Sequence, residues 1–266
     1  MSLLIIDGLN VLYDDVGHRR ATLASVLQSY AYRPEVTIWV WEGMNSKKIR
    51  KDIYPQYKLE REKRNIETPN REYMYDSVRL FQEMLTHTKC FQISVDGYEG
   101  DDVIATLCKN YPDTKKYIQS TDKDFLQLLD ENTTGFMSPT LINAEVLPLK
   151  YIRIYKTVVG DKSDSIHGVP SIGGIKFSRL PLDELLEAFE VGDLNWVKRI
   201  LNENSTPYLK LWLEENMSKV EAMWKITGFF YPSPEEINSN MIKGIVNEEE
   251  LSKLVNQYLT PSWGGN

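Results

Sequence analysis

Carboxylates fall repeatedly just past the ends of short apolar runs in this chain. Leu3 to Ile6 leads into Asp7, Val36 to Trp41 into Glu42, Phe91 to Val95 into Glu99, Asp101 and Asp102, and Tyr117-Ile118 into Asp122 and Asp124. A site so rich in acids and poor in His and Cys needs cations, and hard oxygen donors suit Mg²⁺ or Mn²⁺. Asp161 and Asp164 lie three apart in Gly160-Asp161-Lys162-Ser163-Asp164, so on a helical turn they share a face and could complete a second metal site. The following Gly168-Val169-Pro170-Ser171-Ile172-Gly173-Gly174 reads as a tight hairpin between helices. Consecutive exposed N–H groups there, with a helix N-terminus, can hold a phosphate, although a simple loop is the plainer reading.

Each acid has a structural alternative. Asp7 or Asn10 equally suits a helix cap, and for Asp122 and Asp124 a solvated turn is the lesser alternative. Glu99, Asp101 and Asp102, at i, i+2 and i+3, exceed what capping and the helix dipole require. A lone Glu42 in a Gly-containing turn reads first as solvent-facing.

The elements that must position these groups follow a βαβ rhythm through about residue 150. Strands are expected at 3–7, 36–41, 91–95 and 116–120, with helices at 19–30, 70–86 and 101–110, giving a mostly parallel α/β sheet covered by helices. Open sheets of this class bind ligands outside the carboxyl ends of their strands, so parallel pairing would gather the acids in one cleft. Beyond residue 149 the pattern turns helical. Pro181 to Leu186 opens a helix with Pro and acids in its first turn, and 196–201, 208–215 and 218–226 follow. Residues 260–266 hold Pro and two Gly and read as a frayed end.

With 266 residues, 42% of them hydrophobic, the chain can bury a substantial core in one large domain or two small ones. Cys90 and Cys108 lack partners at zinc-ligand spacing and read as two buried thiols in a reducing cytoplasm. There is no apolar stretch of membrane-spanning length and no leader before the first strand, so neither membrane nor export is expected. The net charge of −7 argues on average against nucleic acid. The segment 47–71 departs from that average. Lys47, Lys48, Arg50, Lys51, Lys58, Arg61, Lys63, Arg64 and Arg71 outnumber its acids and interleave with Tyr54 and Tyr57, as a single-stranded nucleic-acid path requires, although a solvated helix face fits equally.

Asp-Gly-Xaa-Asn near the amino terminus, Glu-Xaa-Asp-Asp, Ser-Thr-Asp-Xaa-Asp, and Gly-Asp-Xaa-Xaa-Asp followed by Gly-Val-Pro-Xaa-Ile-Gly, in this order, resemble the structure-specific 5′ nuclease family. That family takes in flap endonucleases, the 5′ nuclease domain of bacterial DNA polymerase I, and phage exonucleases and RNase H. The resemblance runs from Ser2 to about Arg179, and the size is similar to that of a stand-alone phage or bacterial member.

The resemblance implies a PIN-like catalytic domain at 1–155 with a helical arch at 44–75, and a helical DNA-binding region at 156–266. It implies two Mg²⁺ ions, or Mn²⁺ in their place. Asp7, Glu99, Asp101 and Asp122 would serve the first ion, and Asp124, Asp161 and Asp164 the second, with Asp102 shared or in the outer shell. Lys58 and Arg61 would touch the scissile phosphate, Tyr57 would stack on the terminal base, and Lys156 would stand just before the second acids. A helix-three-turn-helix element at 158–176, including Gly168, Val169, Ile172, Gly173, Gly174 and Lys176, would grip duplex DNA and hold a K⁺ ion.

Three positions depart from the family pattern. Glu42 stands where relatives commonly have Asp and would reach a metal through water. Ser171 replaces the first Gly of Gly-Xaa-Gly-Xaa-Lys, with Lys176 displaced by one. The basic segment is also short for an arch.

The implied activity is metal-dependent 5′-3′ exonuclease and flap endonuclease hydrolysis of DNA and RNA–DNA hybrids in primer removal. The implied protein is a monomer, recruited by a single-stranded-DNA-binding protein or a clamp. His18, His87 and His167 make no spaced set with Ser or Cys, which disfavours a triad hydrolase. The alternatives are a PIN-like ribonuclease and an inert junction-binding protein.

Overall fold

The computed structural model describes residues 1–13, 33–66, 71–136, 148–203 and 205–260. The helix expected at 19–30 and residues 261–266 of the end expected to fray at 260–266 lie outside them. Among the described residues, six strands form one sheet: β1 (Ser2–Asp7), β2 (Val36–Val40), β3 (Phe91–Ile93), β4 (Lys115–Gln119), β5 (Thr133–Phe136) and β6 (Met241–Lys243), in the order β5-β4-β1-β2-β3-β6. All neighbours are parallel except β3 and β6. Leu3 to Ile6 make β1 central because both their faces are apolar and both are covered, the arrangement parallel sheets require.

The two faces follow the period-2 alternation of the strands. Leu3, Ile5, Ile38, Val40, Ile93 and Ile118 pack with Val103, Ile104 and Leu107 of the helix Gly100–Asn110. Leu4, Ile6, Trp39 and Trp41 pack on the other side with Val78, Phe81 and Leu85 of the helix Arg71–Thr86 and with Leu254 and Tyr258 of the helix Glu248–Leu259.

The chain order reverses about β1, with β2 and β3 to one side and β4 and β5 to the other. The carboxyl ends of β1 and β4 therefore flank the switch point where open α/β sheets bind ligands.

A second compact unit comprises Lys48–Thr68 and Ala144–Phe229, while the sheet unit comprises Met1–Lys47, Pro69–Asn143 and Phe230–Asn266. This division differs from the expected boundary at 155/156. The basic segment belongs with the helices because Tyr54 and Tyr57 are buried in their core with Ile154, Val158, Leu209 and Met223. The carboxyl terminus belongs with the sheet because β6 pairs with β3.

Capping residues start the helices of this second unit. Asp193 accepts the N–H groups of Asn195 and Trp196 at 3.0 Å ahead of Leu194–Asn202, and Thr206 caps Pro207–Ile226. The two helices expected at 208–215 and 218–226 are joined, with a kink at Asn216, where φ is −125°. Among the described residues no helix is long and apolar enough to cross a membrane.

Candidate functional site

Parallel pairing places the acids that follow β1, β2, β3 and β4 along one edge of the sheet. At the switch point, a network of short polar side chains ties the turn after β1 to the turn after β4. Asp7 accepts the Asn10 N–H through Oδ1 (3.2 Å) and the Ser120 hydroxyl through Oδ2 (2.9 Å). Ser120 Oγ in turn accepts the Asp122 N–H (3.1 Å), and Asp122 Oδ1 accepts the Asp124 N–H (2.9 Å), which starts the 3₁₀ turn Lys123–Leu128. Asn10 Oδ1 receives both the N–H and the hydroxyl of Thr121, at 2.9 and 3.1 Å. Asp122 stays exposed and Asp7 half-buried. Asp7 is thus anchored through both oxygens and Asp122 through one, while neither is fully buried.

The acids after β3 are held differently. Glu99 and Asp102 are each 1% exposed. Asp102 accepts the Glu99 N–H at 3.2 Å and the Phe230 N–H at 2.8 Å, one on each oxygen, so it ties the helix start to the returning carboxyl-terminal segment. Asp101 is half-buried beside it, with one carboxylate oxygen shielded from solvent.

Glu42 is exposed, as its turn suggested, and its Oε2 accepts the Gly100 N–H at 3.3 Å. It therefore reaches the same helix start. Its loop lies so close to the chain after β3 that a Cβ at Gly43 would fall 1.9 Å from the Val95 carbonyl oxygen, which only glycine accommodates. Burial pushes the neighbouring Tyr98 hydroxyl above its ordinary pKa, and the charges of Glu236 and Asp102 act in the same direction.

In the helical unit, Asp161 and Asp164 lie on a tight loop. Asp161 and Ile166 exchange backbone hydrogen bonds of 2.8 Å in both directions, and Ser163 donates to Asp161 Oδ1 through its N–H (2.8 Å) and hydroxyl (2.6 Å). Lys156, in the last turn of the helix Ile152–Val158, lies 2.8 Å from Asp161 and 3.8 Å from Asp164. Lys58 approaches Asp164 at 4.0 Å, and its backbone N–H donates to the Asp164 carbonyl at 2.9 Å. Burial alone would raise the Asp161 carboxyl, but the Lys156 charge and the hydrogen bonds from Lys156 and Ser163 hold it below the usual carboxylate range. Gly168, with φ +70° and a Cβ position 2.5 Å from the Val159 carbonyl carbon, lets the loop fold back so that the Val169 N–H reaches the Val158 carbonyl at 2.7 Å.

Several expectations change here. Tyr57 is 2% exposed in the helical core, with the Lys58 ammonium 5.0 Å from its ring centre, so its face is not offered to a base. Arg50 is not part of a solvated basic face either. It is 2% exposed and donates to the Ile226 and Gly228 carbonyls at 3.3 and 3.2 Å. Arg61 is exposed on the helix Leu59–Ile66.

In the loop, Val169 and Ile172 are buried and serve packing, while Gly173 and Gly174 are exposed. With Ser171, Ile175, Lys176 and Arg179, these glycines line a cavity of about 760 Å³. Sequence reading missed Ser120 and Thr121 as supports of Asp7 and Asn10. The polar pairs at 7, 10 and 120, 121 were visible, but their partnership depends on β1 pairing with β4.

Among the described residues, no three His, Cys, Asp or Glu side chains are already arranged to hold a metal ion. The donor set still fits a hard divalent ion, because the sheet edge offers carboxylate, hydroxyl and amide oxygens near solvent. Residues 17–152 match the family described as the 5′-3′ exonuclease, N-terminal resolvase-like domain. The chain belongs to this 5′-3′ exonuclease family.

A 5′-3′ exonuclease of Mycoplasmopsis pulmonis is 32% identical over 134 residues, 47% of this chain, and the match spans 43% of that relative's length. The flap endonuclease Xni of Shewanella woodyi is 30% identical over 201 residues, covering 67% of this chain and 76% of the relative. The fold of this 5′-3′ exonuclease family member is that of the bacteriophage T5 D15 flap endonuclease, solved as a pseudo-enzyme-product complex with DNA and metal ions. The TM-score is 0.67 at 18% identity, covering 97% of this chain and 98% of that one.

Proposed function

We propose that the chain is a divalent-metal-dependent 5′ nuclease that hydrolyses phosphodiester bonds at 5′ ends and flap junctions of DNA and of RNA–DNA hybrids. The observation that carries this reading is the row of acids at the carboxyl ends of four parallel strands, centred on the switch point and braced by Ser120 and Asn10. Membership of the 5′-3′ exonuclease family supports it.

Asp7, Asp122 and Asp124, with Glu99 and Asp101, would hold Mg²⁺, or Mn²⁺ in its place. Asp161 and Asp164 are the proposed second group. Bound ions supply charge neutralisation at the phosphate and activation of water. The protein's own side chains orient the reaction. Ser120 and the Asn10 N–H each fix one oxygen of Asp7 and so set the orientation of its half-buried carboxylate. Asp102 serves as support, since backbone amides occupy both of its oxygens. Lys58 and Arg61 would bind the scissile phosphate and stabilise charge as it develops in the transition state. The exposed glycines at 173 and 174, with Lys176, would receive the duplex backbone, with K⁺ as the accompanying ion. Primer removal, in the cytoplasm and with a single-stranded-DNA-binding protein or clamp as recruiter, is the setting this activity suits.

The test is a panel of a 5′-flap duplex, a blunt duplex, single-stranded DNA and single-stranded RNA, each end-labelled, with Mg²⁺ and then with EDTA. Release of short 5′ products from the flap and from the 5′ ends of the blunt duplex, abolished by EDTA, supports the proposal. Cutting of single-stranded RNA only would replace it with a ribonuclease, and flap binding without cutting with a junction binder.

A further inference from the structure

Asp161 and Asp164 are balanced from within their own unit. Lys156 Nζ lies 2.8 Å from Asp161 and 3.8 Å from Asp164, and Lys58 Nζ lies 4.0 Å from Asp164, with all four side chains between 12% and 15% exposed. Two positive and two negative groups therefore cancel in a region largely withdrawn from water.

Neither ammonium is there by the drift of a surface chain. Lys156 projects from the last turn of a helix whose Ile154, Thr157 and Val158 are buried. Lys58 is pinned by its backbone, with φ at +53° and its N–H on the Asp164 carbonyl. The acids are pinned as well, Asp161 by the two-way backbone bridge to Ile166 and by Ser163.

A metal ion arriving at this pair would meet two like charges within reach, and because repulsion scales with charge, each disfavours a divalent ion more than it disfavours a proton. We propose that Lys156, backed by Lys58, is an internal counter-ion standing in the place of a divalent cation at Asp161 and Asp164, so that a metal ion occupies this pair only by displacing the Lys156 ammonium. This rests on the reading of Asp161 and Asp164 as metal-binding acids. It makes Lys156 a positioning residue that sets the threshold for metal occupancy at this pair. The displaced ammonium becomes available to an anion such as a phosphodiester, so metal and substrate favour one another.

The test is Mn²⁺ binding to the full chain without nucleic acid, followed by calorimetry and by the electron paramagnetic resonance of free Mn²⁺. Lys156→Met is expected to tighten Mn²⁺ binding about tenfold, the effect of removing one like charge at close range. Lys156→Arg, which keeps the charge and guards against a folding artefact, is expected to match the wild type. Lys58→Met should tighten binding less than Lys156→Met. Adding Asp161→Asn and Asp164→Asn to Lys156→Met should abolish the gain.

Two other outcomes separate the inference from the reading beneath it. If the two Asn substitutions weaken Mn²⁺ binding but Lys156→Met leaves it at the wild-type value, the acids bind metal and the counter-ion role is overturned. If the Asn substitutions change nothing in either background, the acids are not metal ligands and both fall.

Discussion

The two regions that carry carboxylates stabilise them by opposite means. At the sheet edge, the Asp7 and Asp122 carboxylates are braced by neutral donors, namely the Ser120 hydroxyl and the backbone N–H groups of Asn10 and Asp124. In the helical unit, Asp161 and Asp164 are braced by the ammonium groups of Lys156 and Lys58. Neutral donors orient an acid without cancelling its charge. Ammonium partners cancel the charge, so the helical pair is quiet until its lysines are drawn away. The sheet edge presents Asp7 and Asp122 near solvent, whereas the helical pair holds its charge against its lysines.

The largest effect should come from removing an acid at the sheet edge. Asp122→Ala is exposed enough to leave the fold intact, and steady-state cleavage of a 5′ flap should fall by about 10³-fold or more, with flap affinity little changed, as for loss of a group that acts on transition-state charge. Unchanged turnover at saturating Mg²⁺ would remove Asp122 from the site.

Lys58→Ala should cost about 10²-fold in kcat through loss of a phosphate contact. A change confined to KM would assign Lys58 to binding alone.

Ser120→Ala sharpens the contrast at the sheet edge, because it removes the hydroxyl that serves both Asp7 and the Asp122 N–H while leaving every charge in place. Chemical denaturation should show a loss of about 1–2 kcal/mol, the cost of a buried hydroxyl's hydrogen bonds. Cleavage should need more Mg²⁺ than in the wild type.

The smallest effect lies in acid stability. The folded pKa of Asp161 is depressed below its unfolded value, so its contribution is present above about pH 4, the ordinary carboxylate value, and is lost as pH falls through the folded pKa. The Tm difference between wild type and Asp161→Asn should therefore be steady at neutral pH and shrink only below about pH 4. A difference that grows on acidification would reverse the sign of this account.

The row of acids at the sheet edge was legible in the sequence, because apolar runs fix where strands end and the acids stand shortly after them. The parallel pairing that aligns those ends follows from the βαβ rhythm. Other features depend on partners far along the chain. Ser120 and Asp7 are 113 residues apart and meet only through the register of β1 with β4. β6, Met-Ile-Lys, is too short and too mixed to read as a strand until Phe91–Ile93 offers it an edge. The charge run at 47–71 hid a split role. Arg50 and Tyr57 turn inward because Tyr54 and Tyr57 supply apolar surface that the helices 152–158 and 207–226 need to cover, while Arg61 and Lys63 stay outside.

The most direct test of the whole account is an end-labelled 5′-flap duplex incubated with excess Mg²⁺, with wild type and Asp122→Ala run side by side and flap affinity measured on both. The account predicts short 5′ products that vanish with EDTA for the wild type, and binding without products for the variant. Equal cleavage by both proteins, or none by the wild type despite tight binding, would contradict it.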